Sequence, residues 1–237
     1  MKKFFLSILI MGLFCAAMAQ KTIISDPNAE QRVLSGSFNS IKVSNGINLY
    51  LSQYQNESLA VSASDPKIRD GIKTVIENNT LLIYYNGDNK WGSNKNMKVY
   101  VAFKELQNIH ASGSSDVQVS GSIETNTLAL EMSGSSDFKG DVKVKELSIK
   151  LSGSSDAKIS GSATNVTIES SGASDVAAYN LTAENCTAKA SGASDIKLTI
   201  NKELNATASG ASDIFYKGSA IIKQQQSSGS SSISKKN

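Results

Sequence analysis

Six aspartates recur at nearly even spacing, Asp116, Asp137, Asp156, Asp175, Asp195 and Asp213, each closing a pentapeptide Ser-Gly-Ser/Ala-Ser-Asp. Carboxylates in such a series could do three kinds of chemistry. Two on neighbouring turns of chain could stand near the ~5 to 5.5 Å separation of a retaining glycosidase pair. A column of them could present stacked oxygens to a hard cation such as calcium. Each could instead accept backbone N–H groups at a chain reversal, where glycine supplies the backbone angles and short polar side chains satisfy the freed donors. Acid and base roles need environments that set two pKa values apart, which six like copies do not supply. Calcium takes six or more oxygens, one aspartate per copy offers few, and the G-G-x-G-x-D nonapeptide of calcium-binding rolls is absent. The pattern assigns the aspartates to structural corners, with no catalytic residue, no metal and no cofactor.

Other reactive side chains are few. His110 is the sole histidine and falls at an outward position of a strand, without the G-x-S-x-G context that a Ser-His-Asp site would bring. Trp91 is the sole tryptophan, in the polar loop 86–94 that follows Tyr84 and Tyr85. An exposed ring among amides and hydroxyls suits stacking on a sugar face, so Trp91, Tyr84 and Tyr85 form the candidate ligand-binding set. The competing role for Trp91 is a ring folded back over an open end of the fold.

These residues must be positioned by a repeat. Successive aspartates are separated by 21, 19, 19, 20 and 18 residues, and a degenerate seventh copy, Ser228-Gly229-Ser230-Ser231-Ser232, ends 19 residues after Asp213. The residue after each aspartate is apolar (Val117, Phe138, Ala157, Val176, Ile196, Ile214), and the next is mostly polar. Nine, seven and five residues before successive aspartates stand Leu128, Leu130 and Met132, then Leu147, Ile149 and Leu151, then Val166, Ile168 and Ser170, with polar residues between. Period two with one buried face means strands. A unit carrying a five-residue strand, a corner and a second short strand cannot bury its apolar face alone, whereas stacked units share a core. The expected fold is all-β, a right-handed parallel β-helix (β-solenoid) with coils of about 19 residues. Stacked coils lie ~4.8 Å apart, so neighbouring carboxylates repel by ~1 kcal/mol even in water. Local Asx-type hydrogen bonds, or Lys139, Lys158 and Lys197 two residues along, are expected to offset that.

The organisation along the chain follows. Lys2-Lys3, the apolar run Phe4 to Phe14 and Ala17-Met18-Ala19 form a signal peptide over 1–19. Residues 20–104 alternate in the same way and are expected to add β-structure to the same core, with Asn45-Gly46 and Glu77-Asn78-Asn79-Thr80 as hairpin turns or solenoid corners. Residues 105–222 are the repeat proper, and 223–237 a frayed polar cap. Without the signal, 22 basic face 21 acidic residues, which leaves no footprint for nucleic acid or an anionic membrane. No further apolar run reaches the ~20 residues of a membrane helix, so no stable insertion is expected. Cys186 is left without a partner and is expected in the core.

The stretch Ser37 to Leu49, with Gly46-Ile47-Asn48 at its end, resembles the opening of the putative auto-transporter adhesin, head GIN domain family of secreted bacterial proteins. The likeness extends through Met97 to Phe103 and the repeated corners, over about residues 33 to 222. It implies a parallel β-helix and an adhesin-like role. The expectation is a secreted, non-enzymatic module at the periplasm, cell surface or outside, whose partner is a glycan or a surface protein. A polysaccharide-active enzyme of glycosidase or lyase type and a structural envelope component are the alternatives.

Overall fold

The computed structural model describes residues 26–87 and 95–237; the signal segment 1–19 and Trp91 lie outside the described residues. In chain order the elements are β1 (Glu30–Arg32), β2 (Ser40–Val43), β3 (Asn48–Gln53), β4 (Ser58–Ser62), α1 (Pro66–Gly71), β5 (Ile72–Glu77), β6 (Thr80–Tyr85), β7 (Lys98–Phe103) and β8 (Asn108–Ala111). The repeat follows as β9 (Val117–Met132), β10 (Phe138–Leu151), β11 (Ala157–Ser170), β12 (Val176–Ala190) and β13 (Asp195–Gly210), then β14 (Asp213–Lys217), β15 (Ile221–Gly229) and β16 (Ser232–Lys235).

An alternating run between two corners can satisfy its backbone only by pairing with like runs on either side. β10 and β11 do so in parallel over their whole length, Phe138 opposite Ala157 and Leu151 opposite Ser170, one period apart. β9, β12 and β13 continue the stack, so the chain is a β-solenoid of about seven turns. In place of the two short strands expected per repeat, each coil from β9 to β13 is a single strand from corner to corner, and the coil after Asp213 is divided into β14 and β15. The uneven periods are absorbed away from the corners: β9 meets β10 at a spacing of 21 at Val117–Phe138 and 19 from Ser122–Asp141 onward, with the irregularity at Lys139/Asp141. A bulge there spares the corner ladder, where a shift of register would carry core residues to the surface.

The core is the sum of the inward rows. Leu128, Leu130 and Met132 stack under Leu147, Ile149 and Leu151, then Val166, Ile168 and Ser170, then Cys186, Ala188 and Ala190, all buried. Val117, Phe138, Ala157, Val176, Ile196 and Ile214 fill the row after the corner. Ser170 is the polar exception, and its hydroxyl donates to the Ser174 carbonyl at 2.8 Å. Burial pushes the Cys186 thiol up to about 12, so it remains a neutral core residue.

The two turn motifs left open by the sequence resolve differently. Asn45-Gly46, both in the left-handed region, forms a corner: β2 and β3 flank it and pair in parallel with β8 and β9. Asn78 and Asn79, also left-handed, close an antiparallel hairpin between β5 and β6. β5 on one side, and β4 with β1 on another, end the parallel stack antiparallel. The short α1 was not legible as a helix; Asp65 caps it by accepting the Ile68 N–H at 3.0 Å, and Pro66 opens its first turn. The segment 223–237, expected to be a frayed polar cap, lies largely in the paired strands β15 and β16. β15 pairs with β13 and β16 with β14, and Gly229 sits under Gly210 as a seventh corner.

Candidate functional site

Every position of the pentapeptide has a separate reason, visible in the coil Ser152-Gly153-Ser154-Ser155-Asp156. Gly153 has φ +79°, and a Cβ there would lie 2.5 Å from the Gly134 carbonyl oxygen, so both the angle and the stacking demand glycine. The Ser154 N–H donates to that same carbonyl at 2.7 Å. Ser155 is wholly buried; its hydroxyl accepts the Ser136 N–H at 3.3 Å, and its own N–H donates to Ser174 Oγ at 3.2 Å. The Asp156 N–H donates to Asp137 Oδ1 at 3.2 Å, and Asp156 Oδ1 accepts the Asp175 N–H at 3.1 Å. Two ladders of opposite sense, one buried and one exposed, therefore lace neighbouring corners together.

This corrects the expected local Asx bond, since the acceptor serves the next coil and not its own turn. Asp175 repeats the arrangement with the Asp195 N–H at 3.1 Å, and Asp213 with the Ser232 N–H at 2.9 Å. The lysines offset less than expected. Lys197 reaches Asp195 at 3.7 Å, while Lys139 and Lys158 form no ion pair with the column among the described residues. At the other end of the column burial first, then the charge of Asp137, push the Asp116 carboxyl up, against the Asp137 N–H. Among the described residues no three His, Cys, Asp or Glu side chains gather into a group able to hold a metal.

His110 lies 3.3 Å from Glu131 Oε2, in an exposed row continued by Lys150, Glu169 and Lys189 on successive coils. Tyr84 and Tyr85 are neighbours on β6, so they point to opposite sides of it. Tyr84 is exposed; Tyr85 continues the inward row of Leu81 and Ile83, with Lys95 Nζ 4.1 Å from its ring centroid. A Cβ on Gly71 would lie 2.5 Å from the Tyr85 ring, so that ring is fitted against α1. Trp91, the third member of the candidate set, lies outside the described residues.

The residues two and four places after the aspartates build a feature that the sequence reading did not single out. Gln118, Lys139, Lys158 and Ala177 lie side by side on consecutive strands, beside Asp141, Ser160 and Tyr179. Between the two rows runs a groove of about 470 Å³, with Val119, Gly140 and Ile159 along it. Ser160 donates to Asp141 Oδ2 at 2.9 Å, and burial pushes the Tyr179 hydroxyl up from its ordinary value. Beyond Gln118 the same outward row continues to Tyr50, whose ring stacks on Tyr100 at 5.0 Å. Reading the two columns together would have revealed the row, although the groove itself comes from the bulges that spread the coils.

A rigid stack of parallel coils with a long exposed flank defines a solenoid scaffold. The chain belongs to the family described as "Putative auto-transporter adhesin, head GIN domain", whose model matches residues 37–220. Three solved structures share the fold. A putative adhesin from Bacteroides fragilis is 24% identical with TM-score 0.82, over 89% of this chain and 98% of that one. A putative lipid binding protein from Parabacteroides distasonis is 22% identical with TM-score 0.67, over 90% and 98%. A putative adhesin from Parabacteroides distasonis is 19% identical with TM-score 0.71, over 86% and 95%. No curated protein matches the chain. No helix among the described residues is long and apolar enough to cross a membrane.

Proposed function

We propose that this chain is an exported adhesin-like module that binds a glycan or a surface protein at the bacterial envelope and carries out no catalysis. The observation that carries the reading is the use made of the repeated carboxylates. Each accepting Asp gives its Oδ1 to a backbone N–H of the next coil, the same stacking role at successive corners, which supplies no pair of carboxylates in the two different environments that acid and base catalysis need. Membership of an adhesin family and neighbours titled as adhesins support the same role. Trp91 and Tyr84 are the aromatic contacts of this module in this reading, with the Tyr85 ring holding β6 against α1.

A glycan array probed with the chain after signal removal tests the reading, paired with a search for released sugar from each bound glycan. Binding without turnover is expected, and Trp91→Ala should weaken it while leaving the melting temperature within a degree or so. Turnover would identify a polysaccharide-active enzyme. Equal affinity in the variant would remove Trp91 from the site, and a lowered melting temperature would make it a structural cover.

A further inference from the structure

Away from the corner aspartates, several rows of exposed charges on this solenoid alternate in sign from coil to coil. Glu131, Lys150, Glu169 and Lys189 form one such row. Lys143 meets Glu124 at 2.8 Å, Lys202 meets Glu184 at 2.7 Å, and Lys223 meets Glu203 at 3.3 Å on adjacent coils. The row along the groove breaks the rule. Lys139 and Lys158 sit directly opposite each other on β10 and β11, both exposed, and neither has a hydrogen bond or ion pair among the described residues. Strands stand ~4.8 Å apart, so the pair repels by ~1 kcal/mol in water unless something negative lies between or above the two ammonium groups. Asp137, Asp156 and Asp141 keep their charge close by, but none forms an ion pair with either lysine among the described residues; Asp137 and Asp156 give Oδ1 to backbone N–H groups and Asp141 takes the Ser160 hydroxyl.

Resting on the binding-module reading above, we propose that the groove between Gln118 and Tyr179 binds an acidic polysaccharide, a sugar chain bearing carboxylates, laid along the solenoid axis across Lys139 and Lys158. The groove is open along the stack and crosses consecutive coils, which suits an extended polymer more than a compact ligand. Gly140 makes room in its floor for Val119 and the buried Phe138 ring, for a Cβ there would stand 2.7 Å from Val119 Cγ2 and 2.9 Å from Phe138 Cζ. Val119 and Ala177 offer apolar surface to the C–H face of a sugar ring, and Tyr179 an aromatic edge. Gln118, Ser160 and Asn180 offer donors and acceptors for hydroxyls. Asp141 and the corner column lie close by and would repel a nucleic-acid duplex, with its one charge per ~1.7 Å of axis. The chain's small net charge likewise supplies no field for nucleic acid.

Calorimetric titration of the chain with an oligogalacturonate, against a neutral malto-oligosaccharide of equal length, tests the proposal. The acidic oligomer should bind, more weakly as salt is raised. Lys139→Gln with Lys158→Gln should weaken it about tenfold or more, as expected when charge-assisted contacts are lost. Lys139→Arg with Lys158→Arg should bind nearly as wild type. Both pairs are exposed, so unchanged melting temperatures should accompany the loss. Absence of acidic-oligomer binding, or equal affinity in the Gln variant, overturns the inference. Neutral oligomer bound as tightly as the acidic one overturns the charge assignment while leaving glycan binding intact. Phosphatidylglycerol vesicles, captured in a lysine-dependent way when the oligomer is not, would overturn it in favour of a lipid headgroup.

Discussion

The Asp156 carboxylate accepts a backbone N–H from the coil after it, while the Asp156 N–H donates to the coil before it. One side chain is thus a link in a chain of bonds, and its charge is incidental to that link. Asp156→Asn keeps an acceptor oxygen and removes one of the stacked like charges, so it should leave stability unchanged or slightly raised. Asp156→Ala removes the acceptor and leaves the exposed Asp175 N–H to water, at a cost of about 1 kcal/mol. Thermal melts of the three proteins, each with and without a chelator, check this. A wild type sensitive to chelator, together with an Asn variant as damaged as the Ala variant, would show a cation held by the column. Glycine is stricter than aspartate at the same corner. Gly192 has φ +80°, and a Cβ would stand 2.5 Å from the Gly172 carbonyl oxygen, so the strain of the angle is compounded by a backbone clash.

At the scale of the element, the unit is a coil and not a strand. Ala157 to Asp175 spans one period, and Val176 occupies in β12 the place that Ala157 occupies in β11. Deleting residues 157–175 joins Asp156 to Val176 and lets β10 receive β12 in the same register, so a folded protein with a melting temperature lowered by several degrees is expected. Deleting 157–165 alone turns core residues outward and should yield aggregate. Circular dichroism and gel filtration on both deletions decide it; a folded half-coil deletion with a misfolded whole-coil deletion would refute stacking by repeat. The alternation from Leu128 to Met132 and the spacing of the aspartates made this unit legible, because period and burial are written directly into residue types. The long-range acceptor role of Asp156 was not legible, since local and inter-coil bonds need the same residue at the same corner. Nor was the groove: Lys139 and Lys158 were read as outward, but residue types do not show the two irregularities of pairing, at Lys139/Asp141 and Lys158/Ser160, that lie beside it. α1 was hidden for a different reason, six residues being too few for a helical period.

At the scale of the whole molecule one inward row shrinks toward the C-terminal end, while the row after the corner grows from Ala157 through Val176 to Ile196 and Ile214. The row that holds Leu147, Ile149 and Leu151 in β10 holds Val166, Ile168 and Ser170 in β11, Cys186, Ala188 and Ala190 in β12, and Leu204, Ala206 and Ala208 in β13. Its continuation in β15 is Ile222, half-buried against the core, and then the exposed Gln225 and Ser227. Each lost methylene removes about 0.8 kcal/mol of burial, and in a stack each coil is held only by its neighbours. The N-terminal end has the opposite character, with Phe38, Ile47, Leu49, Ile72 and Phe103 buried beneath antiparallel strands. Stability is therefore graded, and local opening should begin at residues 221–235 and travel toward β10. Native-state hydrogen exchange should find the amides of β15 and β16 least protected, those of β13 and β12 intermediate, and those of β10 and β9 opening only with global unfolding. Ala188→Ile and Ala206→Ile bear on the same gradient, because overpacking in a tight interior destabilises where a loosely filled one gains. Uniform protection from β9 to β16 would mean that the corner ladders couple all coils into one cooperative unit, and that the shrinking row has no bearing on where the stack opens.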